Sequence, residues 1–225
     1  MTELEAERRR MVDEQIFQRG VRDPAVLEAM LTVPRHEFVP PHLREFAYDD
    51  GPLPIGHRQT ISQPYIVAYM TSLLKLTGEE RVLEVGTGSG YQAAVLSNLA
   101  AEVHTIEQHA DLVAAAAQRL ARLGIDNVFL HAGDGSLGWP PEAPYEGILV
   151  TAAAPDPPPA LLEQLADGSR LVIPVGGRRG QWLQVWRRRG TDFDVRSYGA
   201  VAFVPLRGAG GWTEEEWGER RRTRR

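Results

Sequence analysis

From residue 81 onward, apolar runs and polar punctuation alternate in a repeated strand–helix rhythm. "RVLEV" (81–85) reads as a buried strand and "YQAAVLSNLA" (91–100) as the helix after it. "EVHTIE" (102–107) is a second strand, and "ADLVAAAAQRLARLG" (110–124) an alanine-rich helix closed by Gly124. "NVFLHA" and "EGILV" read as strands three and four, "PALLEQLA" as a helix and "SRLVIPV" as a fifth strand. "QWLQVWRR" and "VRSYGAVAFVPL" follow without an intervening helix, so an antiparallel pair is expected at one sheet edge. Repeated strand–helix units specify an α/β fold with a doubly wound, mostly parallel sheet.

Residues 4 to 50 read as a helical extension. Asp23-Pro24 places an N-cap before a proline at the first helical position of "PAVLEAMLTV", and Pro34 and Pro40-Pro41 stop that helix. The glycine- and proline-rich stretch 51–63, "GPLPIGHRQTISQ", reads as a loop, and Pro64 leads into a helix over 64–75. The expected organisation is one domain over 1–225: extension and substrate loop (1–80), cofactor-binding core (81–206) and C-terminal tail (207–225).

The loop after the first core strand narrows the chemistry. In "VLEVGTGSG" the glycines stand at 86, 88 and 90. This is G-x-G-x-G, not the dinucleotide G-x-G-x-x-G, because Tyr91 occupies the third small position; no G-K-[ST] follows, so it is not a Walker A loop. Glu84, just before the first glycine, would repel a pyrophosphate but could accept from an ammonium group. Glu107 ends strand two, where an acid can accept from ribose hydroxyls. Asp134, in "AGDG" after strand three, could accept from an exocyclic adenine amine. Each is also ordinary turn or strand-end chemistry on its own; their order after three successive strands is what carries the reading. Ammonium, ribose and adenine together describe S-adenosylmethionine, and the arrangement resembles the Rossmann-like methyltransferases.

Two absences limit the methyl acceptor. "TAAAP" (151–155) stands where amine methyltransferases carry an Asn/Asp-Pro-Pro-Tyr motif, and the chain has no cysteine to serve carbon-5 pyrimidine methylation. The acceptor should already be nucleophilic at neutral pH. The missing cysteines also remove disulfides and thiolate metal sites, and no metal site is expected.

Further motifs then come in order: "VPRHEFVP" (33–40), "GHRQTISQPYIVAYM" (56–70), "EVGTGSGYQ" (84–92), "GDG" (133–135), "TAAAP" and "FVPL" (203–206). Together they closely resemble the protein-L-isoaspartate O-methyltransferases, from about residue 11 to 206. The resemblance implies methylation of the α-carboxylate of isoaspartyl residues, with S-adenosylhomocysteine as second product and the ester closing unaided to a succinimide. It implies Ser62 as the active-site residue, with Thr60 and Ile61 beside it along the cleft. It puts the cofactor loop at Glu84, Gly86, Thr87, Gly88 and Gly90, the ribose acid at Glu107, the adenine-side pair at Asp134-Gly135, and peptide-binding backbone around Val204. Arg58 departs from the pattern, standing where many members have glycine; it either contacts the substrate carboxylate or faces solvent. His36 is expected to anchor the "PRHEF" turn and His57 a loop.

A carboxylic acid with a pKa near ~4 is almost wholly ionised at neutral pH, so the expected mechanism needs no general base. Ser62 is expected to orient the carboxylate by donating to it. A methyltransferase for a small-molecule carboxylate or hydroxyl shares every cofactor residue and is the alternative; an inactive binding module is disfavoured by the intact acids and glycines.

Composition adds little. Net charge is −5, which gives no nucleic-acid footprint, and no apolar window suggests a membrane span or a secretory signal, so a cytoplasmic monomer is expected. Of the 25 basic residues only Lys75 is lysine. Such a choice fits phosphate or carboxylate recognition, or simply a GC-rich coding sequence. The basic end "GERRRTRR" is expected to be a frayed, solvated terminus.

Overall fold

The computed structural model describes residues 2–218. The basic end 219–225 lies outside the described residues.

Seven strands form the central sheet in the order β5-β4-β3-β6-β7-β8-β9. The five parallel members are β3 (Arg81–Val85), β4 (Glu102–Glu107), β5 (Val128–Ala132), β6 (Tyr145–Val150) and β7 (Leu165–Gly177). The chain steps outward from β3 through β4 to β5, then returns to the other side of β3 as β6. The order therefore reverses between β3 and β6, and a crevice opens at their carboxyl ends, where open α/β sheets bind ligands. β8 (Gly180–Arg189) pairs antiparallel with β7, and β9 (Asp192–Val201) antiparallel with β8, as the missing helix between them predicts.

The expected C-terminal strand is shorter than its apolar run. β9 stops at Val201, and residues 203–206 leave the ladder to bridge Ala153 instead: Val204 accepts from the Ala153 N–H at 2.8 Å and Leu206 donates to the Ala153 carbonyl at 2.8 Å. The helix expected over 159–166 is likewise cut to α6 (Pro159–Glu163), because β7 begins at Leu165. Ladder bonds to β6 outweigh helix propensity there.

Ahead of the sheet, α1 (Glu3–Arg10) continues into a π-helical stretch, Met11–Phe17, followed by α2 (Pro24–Thr32). Asp23 caps α2 as its sequence predicts, accepting from the N–H groups of Ala25 and Val26. The segment 51–63 is not a plain loop: β1 (Leu53–Gly56) and β2 (Gln59–Ile61) pair as an antiparallel hairpin. Its tip uses left-handed backbone at His57 and Arg58, φ 49° and 58°, residues that do not advertise such a turn. Helix α3 (Pro64–Leu74) follows.

The extension belongs to one apolar core with the sheet helices. Met30, Phe38 and Ile61 pack with Tyr91 and Val95 of α4 (Tyr91–Leu96) and Leu120 of α5 (Ala110–Arg122). Burying such large side chains stabilises by about 1.5–3 kcal/mol each, which ties the hairpin to the cofactor-side helices.

Candidate active site

The glycine loop turns because its glycines can. Gly86, Gly88 and Gly90 have φ of 99°, 51° and 87°, left-handed values that side chains other than glycine rarely adopt. A Cβ on Gly86 would collide with the Thr151 hydroxyl, which donates to the carbonyls of Val85 (3.0 Å) and Gly86 (2.8 Å). A Cβ on Gly88 would stand 3.3 Å from Cδ1 of Ile55, on β1. The loop is thus clamped by β6 below and the hairpin above. A cleft opens between them, walled by Gly86, Thr87, Gly88, Glu107 and Gly135 on the sheet side and by Thr60, Ile61, Ser62 and Val204 on the other.

The expected acids divide into three situations. Glu107 lines the cleft, with Oε2 accepting from the Gly88 N–H at 3.1 Å and Oε1 from the His109 N–H at 3.0 Å. Each oxygen keeps a lone pair for a further donor.

Glu84 lies one layer deeper, fully buried, and is not on the cleft wall. Its Oε2 accepts from Thr105 Oγ1 at 2.5 Å, and Thr105 Oγ1 lies 2.6 Å from the Thr87 hydroxyl of the loop. Oε1 has no partner among the described residues. Burial pushes this carboxyl up to about 8; the Thr105 bond opposes the rise and the Glu107 charge adds to it. At neutral pH it is a neutral acid beneath the loop, a group that a nearby cation would ionise. Glu84 therefore reaches the loop through Thr105 and Thr87 rather than lining the cleft itself.

Asp134 is engaged elsewhere. Oδ1 caps the turn Gly135–Leu137 by accepting from the Ser136 N–H at 2.9 Å and the Ser136 hydroxyl at 2.6 Å, while Oδ2 accepts from the Ala209 N–H at 2.7 Å. Its neighbour Gly135 is the one that reaches the cleft. Residues 207–211, for which the sequence suggested no role, fold back onto this turn. A Cβ on Gly208 would collide with the Asp134 carboxylate, and the Gly210 N–H donates to Ser136 Oγ at 2.9 Å.

Ser62 stands where the cleft meets a larger groove. It lines both, as do Thr60 and Val204, and the groove widens toward Arg58, Tyr65 and Arg178. Ser62 does not cap the helix that follows: Gln63 is the N-cap of α3, with no side-chain capping bond, and the Ser62 hydroxyl makes no hydrogen bond among the described residues. The segment leading to it is firmly held. Arg19 pairs with Asp50 at 3.0 Å, Gln63 Nε2 donates to Asp50 Oδ1 at 2.8 Å, and the buried Arg35 donates from Nε to the Ala47 carbonyl at 2.7 Å. Arg58 lies on the exposed lip of the groove. His36 bonds Tyr48 Oη at 2.7 Å and His57 stacks on His109, the anchoring roles expected of them.

Among the described residues no cluster of His, Asp or Glu is gathered for a metal ion, and no helix is long and apolar enough to cross a membrane.

A family model described as protein-L-isoaspartate(D-aspartate) O-methyltransferase matches residues 6–210. The chain belongs to this family. It is 57% identical over 206 residues to the protein-L-isoaspartate O-methyltransferase of Methanoregula boonei, covering 92% of this chain and 95% of that one. To the enzyme of the same name from Pelotomaculum thermopropionicum it is 52% identical over 210 residues, 93% and 92% of the two chains. A solved protein-L-isoaspartate O-methyltransferase structure superposes with a TM-score of 0.82 at 28% identity, over 91% of this chain and 67% of that one. A second, described as a putative protein-L-isoaspartate O-methyltransferase from Plasmodium falciparum in complex with S-adenosyl-L-homocysteine, gives 0.76 at 26% identity, over 88% of this chain and 96% of that one.

This member of the protein-L-isoaspartate O-methyltransferase family also carries site residues that its sequence does not announce. Thr151 opens "TAAAP" and locks the glycine loop, and Thr105 carries the Glu84 link. Neither belongs to a glycine or acid motif, and only the pairing of β3 with β6 and β4 brings them under the loop.

Proposed function

We propose that the protein transfers the methyl group of S-adenosylmethionine to the α-carboxylate of L-isoaspartyl residues in damaged peptides and proteins, initiating their repair and releasing S-adenosylhomocysteine. The observation that carries this reading is the position of Ser62: an unengaged hydroxyl on the wall shared by the cleft beside the glycine loop and a larger neighbouring groove. The cleft with the glycine loop and Glu107 suits the cofactor, and the larger groove suits an acceptor attached to a polypeptide.

The residues present fit that cofactor. Glu107 keeps acceptor capacity for ribose hydroxyls, the backbone of Gly86, Thr87 and Gly88 would hold the amino-acid end, and Gly135 would border the adenine; Gly90 is not on the cleft wall and closes the loop by donating to the Thr87 carbonyl at 2.8 Å. Glu84, neutral and with one bare oxygen, favours a cation above it without contact. Asp134 would act by fixing the turn that presents Gly135. When bound, the cofactor supplies an electrophilic methyl group on a sulfonium centre. The chain's task is then to hold an already ionised carboxylate in line, and orientation of that kind lowers a barrier by roughly 7–11 kcal/mol. Ser62 Oγ would donate to one carboxylate oxygen and turn the other toward the methyl group, with Thr60 and Ile61 shaping that wall. Val204 would border the peptide with its side chain, since its carbonyl is taken by Ala153.

The same reading has the enzyme working as a cytoplasmic monomer without nucleic-acid or membrane partners, in line with its net charge of −5. It treats 1–80, 81–206 and 207–225 as parts of one catalytic unit.

The test is methyl transfer from labelled S-adenosylmethionine to two peptides that differ only in one isoaspartyl or normal aspartyl linkage. Base-labile label on the isoaspartyl peptide alone is expected. Label on neither peptide, with the cofactor bound, would redirect the assignment to a small carboxylate or hydroxyl acceptor.

A further inference from the structure

At the opposite end of the sheet, arginines gather where the proposed reaction has no use for them. Arg170 stands near the start of β7, directly across from Arg187 on β8, and Arg187 is across from Asp194 on β9. Arg196 pairs in register with Val185, two positions from Arg187 on the same face. With Arg189 they wall a cleft at the amino ends of the parallel strands, beyond the C-terminus of α3. Asp194 is the only carboxylate on that wall among the described residues, and Arg189 already holds it at 2.8 Å.

Two of these cations are fixed rather than free to swing into solvent. Arg170 donates from Nη1 to the Leu73 carbonyl at 3.0 Å, and Arg187 from Nε to the Gly168 carbonyl at 3.0 Å. Neither partner is charged, so both guanidinium charges stay uncompensated while their other N–H donors remain available. Arg196 has no hydrogen-bond or ion-pair partner among the described residues. Like charges directly opposite on neighbouring strands destabilise a sheet, yet here a protein of net charge −5 holds three of them together around one hollow. Asp192, farther along the same face of β9, is not part of the wall.

We propose that this cleft is a binding site for a phosphate-type oxyanion carrying two or more negative charges. Guanidinium forks match the paired oxygens of such a group, and each contact is a charge-assisted hydrogen bond. Tyr198, on the same wall, adds a hydroxyl donor. Three net positive charges favour an oligophosphate over a single phosphate. The site gives a physical use to the arginine excess of the chain, and it rests on no part of the catalytic reading, being at the other end of the strands from Ser62.

The experiment compares the thermal midpoint and direct titration calorimetry of the whole protein with chloride, inorganic phosphate, pyrophosphate and tripolyphosphate at one ionic strength. Stabilisation should rise in that order, with saturable one-site binding of tripolyphosphate. R187Q and R196Q should each weaken that binding about tenfold or more, while the stability of R196Q in chloride is unchanged or raised because like-charge repulsion is relieved. Isoaspartyl methylation should be unchanged in R196Q. Equal stabilisation by all four anions, or binding that survives both substitutions, would overturn the proposal. Tighter binding of a single-stranded oligonucleotide than of tripolyphosphate would overturn it in favour of a nucleic-acid surface.

Discussion

The guanidinium of Arg35 lies over the ring of Tyr91, 4.9 Å from its centroid, and both side chains are fully buried. Tyr91 is the first residue of the helix after the glycine loop, while Arg35 Nε holds the Ala47 carbonyl on the path to Ser62. One cation therefore joins the cofactor side to the acceptor side. Burial pulls its pKa down to about 10, so it remains charged at neutral pH without a carboxylate partner. R35K keeps a charge but loses the planar fork. It should lower unfolding stability by about 2–3 kcal/mol, the cost of leaving a buried carbonyl unpaired, and raise the KM for isoaspartyl peptide more than that for the cofactor. Urea midpoints with paired KM values check this.

Ser62→Ala should reduce turnover about 10–100-fold, the worth of one hydrogen bond to a charged group. Cofactor affinity should stay within about twofold. Stability should not change either, since the hydroxyl caps nothing. An equal loss of cofactor binding would contradict the orienting role.

The pKa of Glu84, about 8, lies above its ordinary value of 4.5. The folded state keeps a proton that the unfolded chain has released, so this group's contribution to stability is complete below pH 4.5 and is lost as pH rises through 8. A cation held above it reverses the preference. Binding of S-adenosylmethionine near pH 7 should therefore expel up to about one proton, read as a binding enthalpy that changes with the ionisation heat of the buffer. Glu84→Gln should abolish that dependence and flatten the loss of stability between about pH 4.5 and 8.

His104 and His131 are 3.1 Å apart, and His131 stacks on Trp139 at 3.9 Å. Burial holds both below the ordinary value of 6.5. Here the unfolded chain binds the extra protons: the contribution is complete above pH 6.5 and is lost as pH falls below it. His131→Gln should make the acid limb of a stability–pH curve shallower than in the parent protein.

Arg58→Gly should stabilise by about 0.5–1 kcal/mol, because a left-handed residue with a side chain costs more than glycine's extra freedom in the unfolded chain. Thermal midpoints check it, and turnover should stay within about twofold.

What could be read from the sequence was local. The strand–helix rhythm predicts the sheet, and the spacing of Gly86, Gly88 and Gly90 predicts a loop whose φ values need glycine. Ser62 was accessible through the "QTISQP" motif. The contributions of Thr105 and Thr151 were hidden because strand register, not spacing, brings them under the loop. The bracing of Asp134 is hidden for a related reason: the donor to its Oδ2, the Ala209 N–H, lies 75 residues away in sequence. The hairpin at Leu53–Ile61 was read as a loop because His57 and Arg58 take turn conformations that glycine or asparagine would have signalled.

That long-range bond from Ala209 has a consequence for how the molecule is made. A chain still being synthesised can assemble the glycine loop, Glu107 and Ser62 well before the residues that brace the Asp134 turn exist. The Gly135 side of the cleft is braced only once residues 207–211 have emerged from the ribosome, so nascent chains should gain cofactor binding after that point and not when the glycine loop first appears.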